Sequence, residues 1–412
     1  MNTRKQIAVF GSFLAHRQSA EYRMAEVLGY ELATRGFALM CGGHGGIAEA
    51  LVAGAARGGG EVTGVSLSES HYRDRSAPVI PRIVRTVQAA TVAERLARFA
   101  EADGFVFFSG GIGSLAEFSF VWHTLQLEMA FDRPVVLLSR SWKPVLAEFR
   151  RVQMVQYRFY RYLYLCDGVR DAIAILTGDY SLKYGNGDDR YDKECVLFGL
   201  DGTIVESPEE RFLQACEDAG LFFAKPEVIA MFGRAAAHRG GADDPQFHRR
   251  ALELLGIRGA EADDVVERLA AGGQLPRLYP DARETVHRFR ERGMTVGVVS
   301  ARPEAELTDI LATHSLAGQF DFVATTDGSD NLHDNGLIGR ALVVAGTRRE
   351  GTLYVKDRLP EEDAAPHTAG IETVILDRHL DHILHDGVVT VRSLRELEYV
   401  VGPPGRRQAG TK

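Results

Sequence analysis

Through the first half of the chain, short apolar runs alternate with longer stretches whose apolar positions recur every three to four residues. The first pattern predicts buried strands and the second amphipathic helices. Strands are expected at Ile7–Phe10, Phe37–Met40, Val62–Val65, Ile83–Val87, Phe105–Phe108 and Val135–Leu138. Helices are expected at Ser19–Arg35 (apolar at Met24, Val27, Leu28, Leu32 and Ala33), Ile47–Arg57, Thr91–Ala102 and Ser114–Met129, with a further apolar run at Ala172–Leu176. Strands that are apolar throughout and separated by helices of this length belong in a parallel sheet covered on both faces. The pattern then lapses. Residues 179–193, with Tyr184-Gly185-Asn186-Gly187-Asp188-Asp189, carry no apolar period and predict a linker. A second strand–helix alternation starts at Cys195-Val196-Leu197-Phe198 and runs to about Val401, with a largely helical insertion at about 220–278. The expected organisation is a doubly wound, Rossmann-like α/β domain over 1–178, a second α/β domain over 194–401 and a disordered tail over 402–412.

Glycine turns fall at the ends of three strands of the first domain. Gly11-Ser12 follows the first, Cys41-Gly42-Gly43-His44-Gly45-Gly46 the second, and Ser109-Gly110-Gly111-Ile112-Gly113-Ser114-Leu115-Ala116-Glu117 a later one. Ligands of such sheets bind at the carboxyl ends of the strands. Glycines let the backbone approach an anion, and the first N–H groups of the following helix point at it. Gly110, Gly111, Gly113 and Ser114 are therefore the candidate phosphate cradle, with Gly11, Ser12, Gly42, Gly43 and Gly46 the rest of a nucleotide site. His44, inside the second turn, is within possible reach of a ligand. Glu117, one turn into the helix, would repel the phosphate unless it served a neighbouring part of the ligand. Its alternative use is to complement the helix dipole.

These three motifs, in this order, resemble the "lonely guy" (LOG) nucleoside 5′-monophosphate phosphoribohydrolases, whose signature is P-G-G-x-G-T-x-x-E; the resemblance spans about Lys5 to Thr177. It implies hydrolysis of the N-glycosidic bond of a nucleoside 5′-monophosphate, giving free base and ribose 5-phosphate. It implies Glu117 as the catalytic carboxylate facing the ribose, where an oxocarbenium-like transition state forms. An arginine of the preceding helix completes the family's catalytic set. Counting back from Asp103, its position falls on Glu94, so Arg95 matches after a one-residue slip, and Arg98 stands behind it. Ser109 and Ser114 replace the usual proline and threonine. The short turn through His44 is similar to a branch that includes molybdenum-cofactor carrier-like proteins, which leaves non-catalytic binding of a phosphorylated ligand as the alternative. The family also implies at least a homodimer, and no cofactor.

Leu197-Phe198-Gly199-Leu200-Asp201-Gly202-Thr203 resembles the first motif, D-x-D-G-T, of the haloacid dehalogenase (HAD) phosphatases. Ser300, closing Val296–Val299, and Lys356-Asp357, closing Leu353–Val355, resemble later landmarks, as does Ala369-Gly370-Ile371; Glu361 or Glu362 would be the displaced partner of Asp357. The helical insertion lies where these enzymes carry a cap. In the family the first aspartate is nucleophile and magnesium ligand, and glycine at 199 can be neither. The phosphate-binding lysine has no counterpart near Asn335 and Arg340. Gly199, Asp201, Thr203, Ser300 and Asp357 are thus expected to be remnants in a structural or regulatory domain, with magnesium lacking its first ligand and a HAD-type phosphatase as the third reading.

Composition narrows the classes further. The 412 residues carry a net charge of −8 with 45% hydrophobic and 25% charged residues, which excludes a general nucleic-acid binder and any apolar span of membrane length. Cys41, Cys166, Cys195 and Cys216 have no zinc or C-x-x-C spacing, and a reducing cytoplasm is expected. The aromatic run Tyr157, Phe159, Tyr160, Tyr162, Tyr164 reads as core or dimer interface, and His379, His382 and His385 as surface. No metal site is expected.

Overall fold

The computed structural model describes residues 4–67, 80, 83, 85–128, 133–152, 155–184, 193–235, 244–272, 275–325, 336–359, 371–382 and 389–401. These form two compact units. The first comprises residues 1–148 and 161–183; the second comprises 149–160 and 184–412.

The first unit is a seven-stranded parallel sheet of β1 (Gln6–Phe10), β2 (Ala38–Cys41), β3 (Val62–Leu67), β4 (Arg85–Ala89), β5 (Gly104–Phe107), β6 (Val135–Leu137) and β7 (Leu163–Leu165), in the order β4-β3-β2-β1-β5-β6-β7. The order reverses between β1 and β5, which pair Ile7 with Gly104 through Phe10 with Phe107. That reversal opens the crevice where doubly wound sheets take their ligands. β5 is buried along its whole length, as a central strand covered on both faces must be. The covering helices are α1 (Ala20–Thr34), α2 (Ile47–Arg57), α3 (Val92–Ala100), α4 (Ile112–Glu128), α5 (Trp142–Arg151), of which residues up to Glu148 belong to this unit, and α6 (Val169–Thr177). Ser19 and Thr91 cap α1 and α3 by accepting from Tyr22 N and Glu94 N. The α1–α2 contact is close: a Cβ on Gly54 would stand 1.8 Å from Glu26 O, so only glycine lets the two backbones meet.

The second unit holds a six-stranded parallel sheet ordered β10-β9-β8-β11-β12-β13, from β8 (Cys195–Gly199), β9 (Thr295–Ser300), β10 (Phe322–Thr325), β11 (Thr352–Lys356), β12 (Glu372–Leu376) and β13 (Thr390–Val391). Its order reverses between β8 and β11. A helical layer of α8 (Pro208–Asp218), α9 (Lys225–Ala235), α10 (Pro245–Leu254) and α11 (Ala260–Ala271) packs around its own core of Phe212, Phe232, Phe247 and Val265.

Several expectations change. The insertion begins at Pro208 rather than about 220, because Ser207 and Glu210 form a reciprocal capping box that starts α8. Residues 149–160, expected within the first domain, belong to the second unit, where Tyr157 joins the core of the helical layer. The span 179–193 is not featureless: it holds the short helix α7 (Ser181–Tyr184), and Tyr184 donates to Glu396 Oε1 at 2.5 Å. Val27 lies 45% exposed, off the buried face of α1. His379 and His382 are buried, not on the surface. Tyr157, Phe159, Tyr160 and Tyr162 are core residues. The tail 402–412, residues 185–192, and Asn335, Glu361, Glu362, Ala369, Gly370 and His385 lie outside the described residues.

Candidate functional site

In the first unit the turns after β1, β2 and β5 meet at the carboxyl edge of the sheet. Ser12 N donates to Ser109 O at 3.0 Å, and Ile47 N donates to Ser12 O at 3.1 Å, tying the turn after β1 to its two neighbours. Gly43 and Gly46 take φ of +78° and +62°, and a Cβ on Gly46 would stand 2.3 Å from Ser12 O. α4 starts at Ile112 rather than at Ser114, so Ser114 lies inside its first turn, buried, with Oγ packed over Gly110. A Cβ on Gly111 or Gly113 would meet open space. A Cβ on Gly11 would strike Ile47 and Phe108, so that glycine serves packing at the turn.

Glu117 sits in the second turn of α4, 9% exposed, and Arg95 Nη1 of α3 donates to its Oε1 at 2.7 Å. Burial raises the Glu117 carboxyl above its ordinary value, while the Arg95 charge and hydrogen bond oppose the rise. Arg95 is itself fixed: Nε donates to Val65 O at 3.1 Å, and the guanidinium lies 4.9 Å from the Phe99 ring centre. A Cβ on Gly42 would come within 3.0 Å of Arg95 Nη2, which brings the second glycine turn to the same place. Arg98 instead pairs with exposed Glu101 at 3.3 Å. Of the two arginines, Arg95 is the one that lies beside Glu117. Burial also lifts the Cys41 thiol to about 11, leaving it an inert neighbour. Sequence reasoning missed Glu21. Its carboxylate accepts from Ser109 Oγ and, at 2.9 Å, from Ser139 Oγ, holding together the turns after β5 and β6.

In the second unit the remnant residues also gather at the carboxyl edge, but around one another. Gly199 ends β8, where a Cβ would meet Thr203 Oγ1 at 3.4 Å and Val355 O at 3.5 Å. Asp201 accepts from Arg302 at both oxygens, with Nε at 3.1 and 3.0 Å and Nη2 at 2.8 Å. Ser300 Oγ accepts from Arg302 N at 3.1 Å. Lys356 is buried next to Gly199. Burial pushes Asp357 up to about 6. Its Oδ2 lies 3.8 Å from Lys225 Nζ. Among the described residues the donor set does not fit the magnesium that a HAD site implies: position 199 offers no ligand, a guanidinium faces Asp201, and two buried cations stand nearby.

Beside this edge, Lys225 of α9 is 5% exposed and donates to Tyr157 Oη at 2.8 Å, Asp381 Oδ2 at 3.1 Å and Glu210 Oε1 at 3.3 Å. Burial alone would lower this lysine, but Asp381 and Glu210 outweigh it and hold it well above its ordinary value. Burial acts in the opposite direction on Glu210, and Lys225 and His379 outweigh it, bringing the carboxyl to about 2. A small cleft is lined by Lys225, Ile229, Asp357, Arg358, Asp381 and His382. Arg302 and Lys225 were not singled out from sequence, where no period or motif marks them, and Tyr157 was expected only as core or dimer interface.

Residues 4–158 match the family model of the SLOG cluster4 family, and residues 196–376 match that of the haloacid dehalogenase-like hydrolases. The chain joins a LOG-like region to a HAD-like region. A phosphoglycolate phosphatase of Pseudomonas putida is 26% identical over 200 residues, covering 45% of this chain and 70% of that protein. One from Aliivibrio fischeri is 27% identical over 146 residues, covering 33% and 63%. Among solved structures, a dehalogenase with an intermediate complex is 15% identical over 52% of this chain and 98% of its own, at a TM-score of 0.41. The molybdenum cofactor carrier protein from Chlamydomonas reinhardtii is 22% identical over 42% and 98%, at a TM-score of 0.33. No described helix is long and apolar enough to cross a membrane.

Proposed function

We propose that the LOG-like unit hydrolyses a nucleoside 5′-monophosphate to free base and ribose 5-phosphate, with the HAD-like unit in a structural or regulatory role. The observation that carries this reading is the Arg95–Glu117 pair, 2.7 Å apart, next to glycine turns whose Gly111 and Gly113 face open space. The turn amides and the start of α4 would hold the phosphate. Glu117 would then face the ribose and stabilise positive charge on C1′ as the C1′–N bond breaks. Water supplies the new oxygen on C1′, and its proton leaves with the base. Arg95 is the positioning residue: it opposes the rise that burial imposes on the Glu117 carboxyl and holds that carboxyl in place. No cofactor is called for, the partner is a nucleoside monophosphate or similar phosphorylated small molecule, and a homodimer or larger homo-oligomer in the cytoplasm is part of the reading.

A second reading rests on the curated relatives, which are named as phosphoglycolate phosphatases. Against it stand Gly199 and the guanidinium on Asp201. A panel of nucleoside monophosphates and phosphoglycolate, scored for free base and for inorganic phosphate, tests both. Free base from at least one nucleotide supports the proposal. Phosphate release supports the second reading, and tight nucleotide binding without either product makes the first unit a carrier.

A further inference from the structure

We infer that Arg302 is a built-in cation that takes the metal's place in the HAD-like unit, so that this unit is folded and held without magnesium. The inference rests on the structural role given above to that unit. Asp201 lies two residues past the end of β8, and Arg302 follows β9, the strand hydrogen-bonded to β8. The carboxylate accepts at both oxygens from two guanidinium nitrogens, with contacts of 2.8 to 3.1 Å. This fork-to-carboxylate geometry suits arginine and not a single-point cation. The guanidinium is aimed from both ends. The backbone N–H of Arg302 is fixed by Ser300 Oγ at 3.1 Å, and Nη1 also contacts Glu306 in the first turn of the helix Glu304–Thr313.

Charge supports the same conclusion. A divalent ion needs a surplus of carboxylate, and position 199 contributes none. The side chain of Arg302 is 9% exposed and Lys356 is 3% exposed, so two cations already share this edge with Asp201 and Asp357. Lys225 Nζ also stands 3.8 Å from Asp357 Oδ2, so Mg²⁺ would have to join three basic side chains among the described residues of this edge.

Calorimetric titration of the full chain with MgCl₂, together with thermal melting in MgCl₂ and in EDTA, tests this directly. The wild type should give no saturable heat below about 10 mM and no difference in melting temperature. Arg302→Ala should lower the HAD-like unit's melting temperature by about 3–6 °C, as for loss of a partly buried ion pair, and Arg302→Lys should recover only part of it. The double variant Gly199→Asp, Arg302→Ala, with two carboxylates and no guanidinium, should gain a Mg²⁺-dependent rise in melting temperature. Should Arg302→Ala not fold, the wild-type titration and Asp201→Asn, which should lose stability equally with and without Mg²⁺, decide the matter. Saturable Mg²⁺ binding by the wild type that Asp201→Asn abolishes would overturn the inference while leaving the nucleotide reaction untouched. Metal-independent phosphate release would overturn the proposed division of labour while leaving Arg302 in its role.

Discussion

Both units are parallel sheets whose order reverses next to the first strand, and both bring a glycine to the end of a strand at that reversal. Beyond Gly111 of the first unit lies open space, whereas a Cβ on Gly199 of the second meets Thr203 and Val355 within 3.5 Å. The polar groups follow suit. Glu117 and Arg95 pair next to turns that remain accessible, while Asp201 is gripped by Arg302 and Lys225 is enclosed by Tyr157, Glu210 and Asp381. The same topology can therefore present its carboxyl edge to a ligand or fill it with its own side chains. Which of the two occurs is decided by a handful of residues, not by the fold.

The largest expected effect would break the comparison on the first unit's side. Glu117→Gln should cut base release by about 10²–10³-fold with nucleotide affinity nearly unchanged, measured by single-turnover kinetics. Unchanged turnover would remove Glu117 from the chemistry. Next in size, nucleoside monophosphates should bind at least about tenfold better than their nucleosides, since only the former present an anion to the start of α4. Gly111→Val, by filling the space the phosphate needs, should abolish that preference in calorimetry. Equal affinity for adenosine and its monophosphate, and likewise for the other bases, would show that the turn holds no phosphate.

A third test probes the crowding of the second unit. Burial raises Glu217 to about 7, and its Oε1 accepts from Tyr157 N at 2.5 Å. A carboxyl whose folded pKa is raised binds its proton more tightly when folded. Stability therefore falls as pH rises from its ordinary value towards about 7, and the cost is fully present above that. Glu217→Gln, which keeps the acceptor without the charge, should stabilise the protein at pH 8 by about 2 kcal/mol and flatten the denaturation midpoint between pH 5 and 8. A midpoint in the variant that tracks the wild type across this range would mean that the carboxyl is not the source. The smallest effect is expected of Gly199→Asp. Its Cβ would make only ordinary contacts, so the fold should survive, and aryl phosphate hydrolysis should stay within about tenfold of background. Vigorous magnesium-dependent turnover would show that a single carboxylate separates the two kinds of edge.

Much of this was legible in the chain. Apolar runs such as Phe105–Phe108 mark central strands because both faces are buried, and glycine turns mark the carboxyl edge because backbone approach demands them. β4 falls two residues later than its apolar run suggests, at Arg85–Ala89, because a strand at the sheet's edge is bounded by pairing with β3 and not by its own apolarity. β7 and α5 were hidden by aromatic and charged residues that mask their periods. The choice between Arg95 and Arg98 could not come from spacing alone, since one residue turns a helix by about 100°; the bond to Val65 O fixes it. Arg302, Lys225 and Tyr157 come from distant segments, and their meeting is a property of three-dimensional packing that no local pattern encodes.

The assignment of residues 149–160 to the second unit has a practical consequence. Arg150 donates to His379 O at 2.5 Å and also engages Asp381, and Tyr157 Oη meets both Lys225 and His379 at 2.8 Å. A chain severed near residue 179, where the sequence suggests a natural seam, would leave these side chains on the wrong fragment. The C-terminal piece would then expose a buried lysine and two acids stripped of their closest neighbours. Its poor solubility would be an artefact of the scissors and would say nothing about what the intact polypeptide can do.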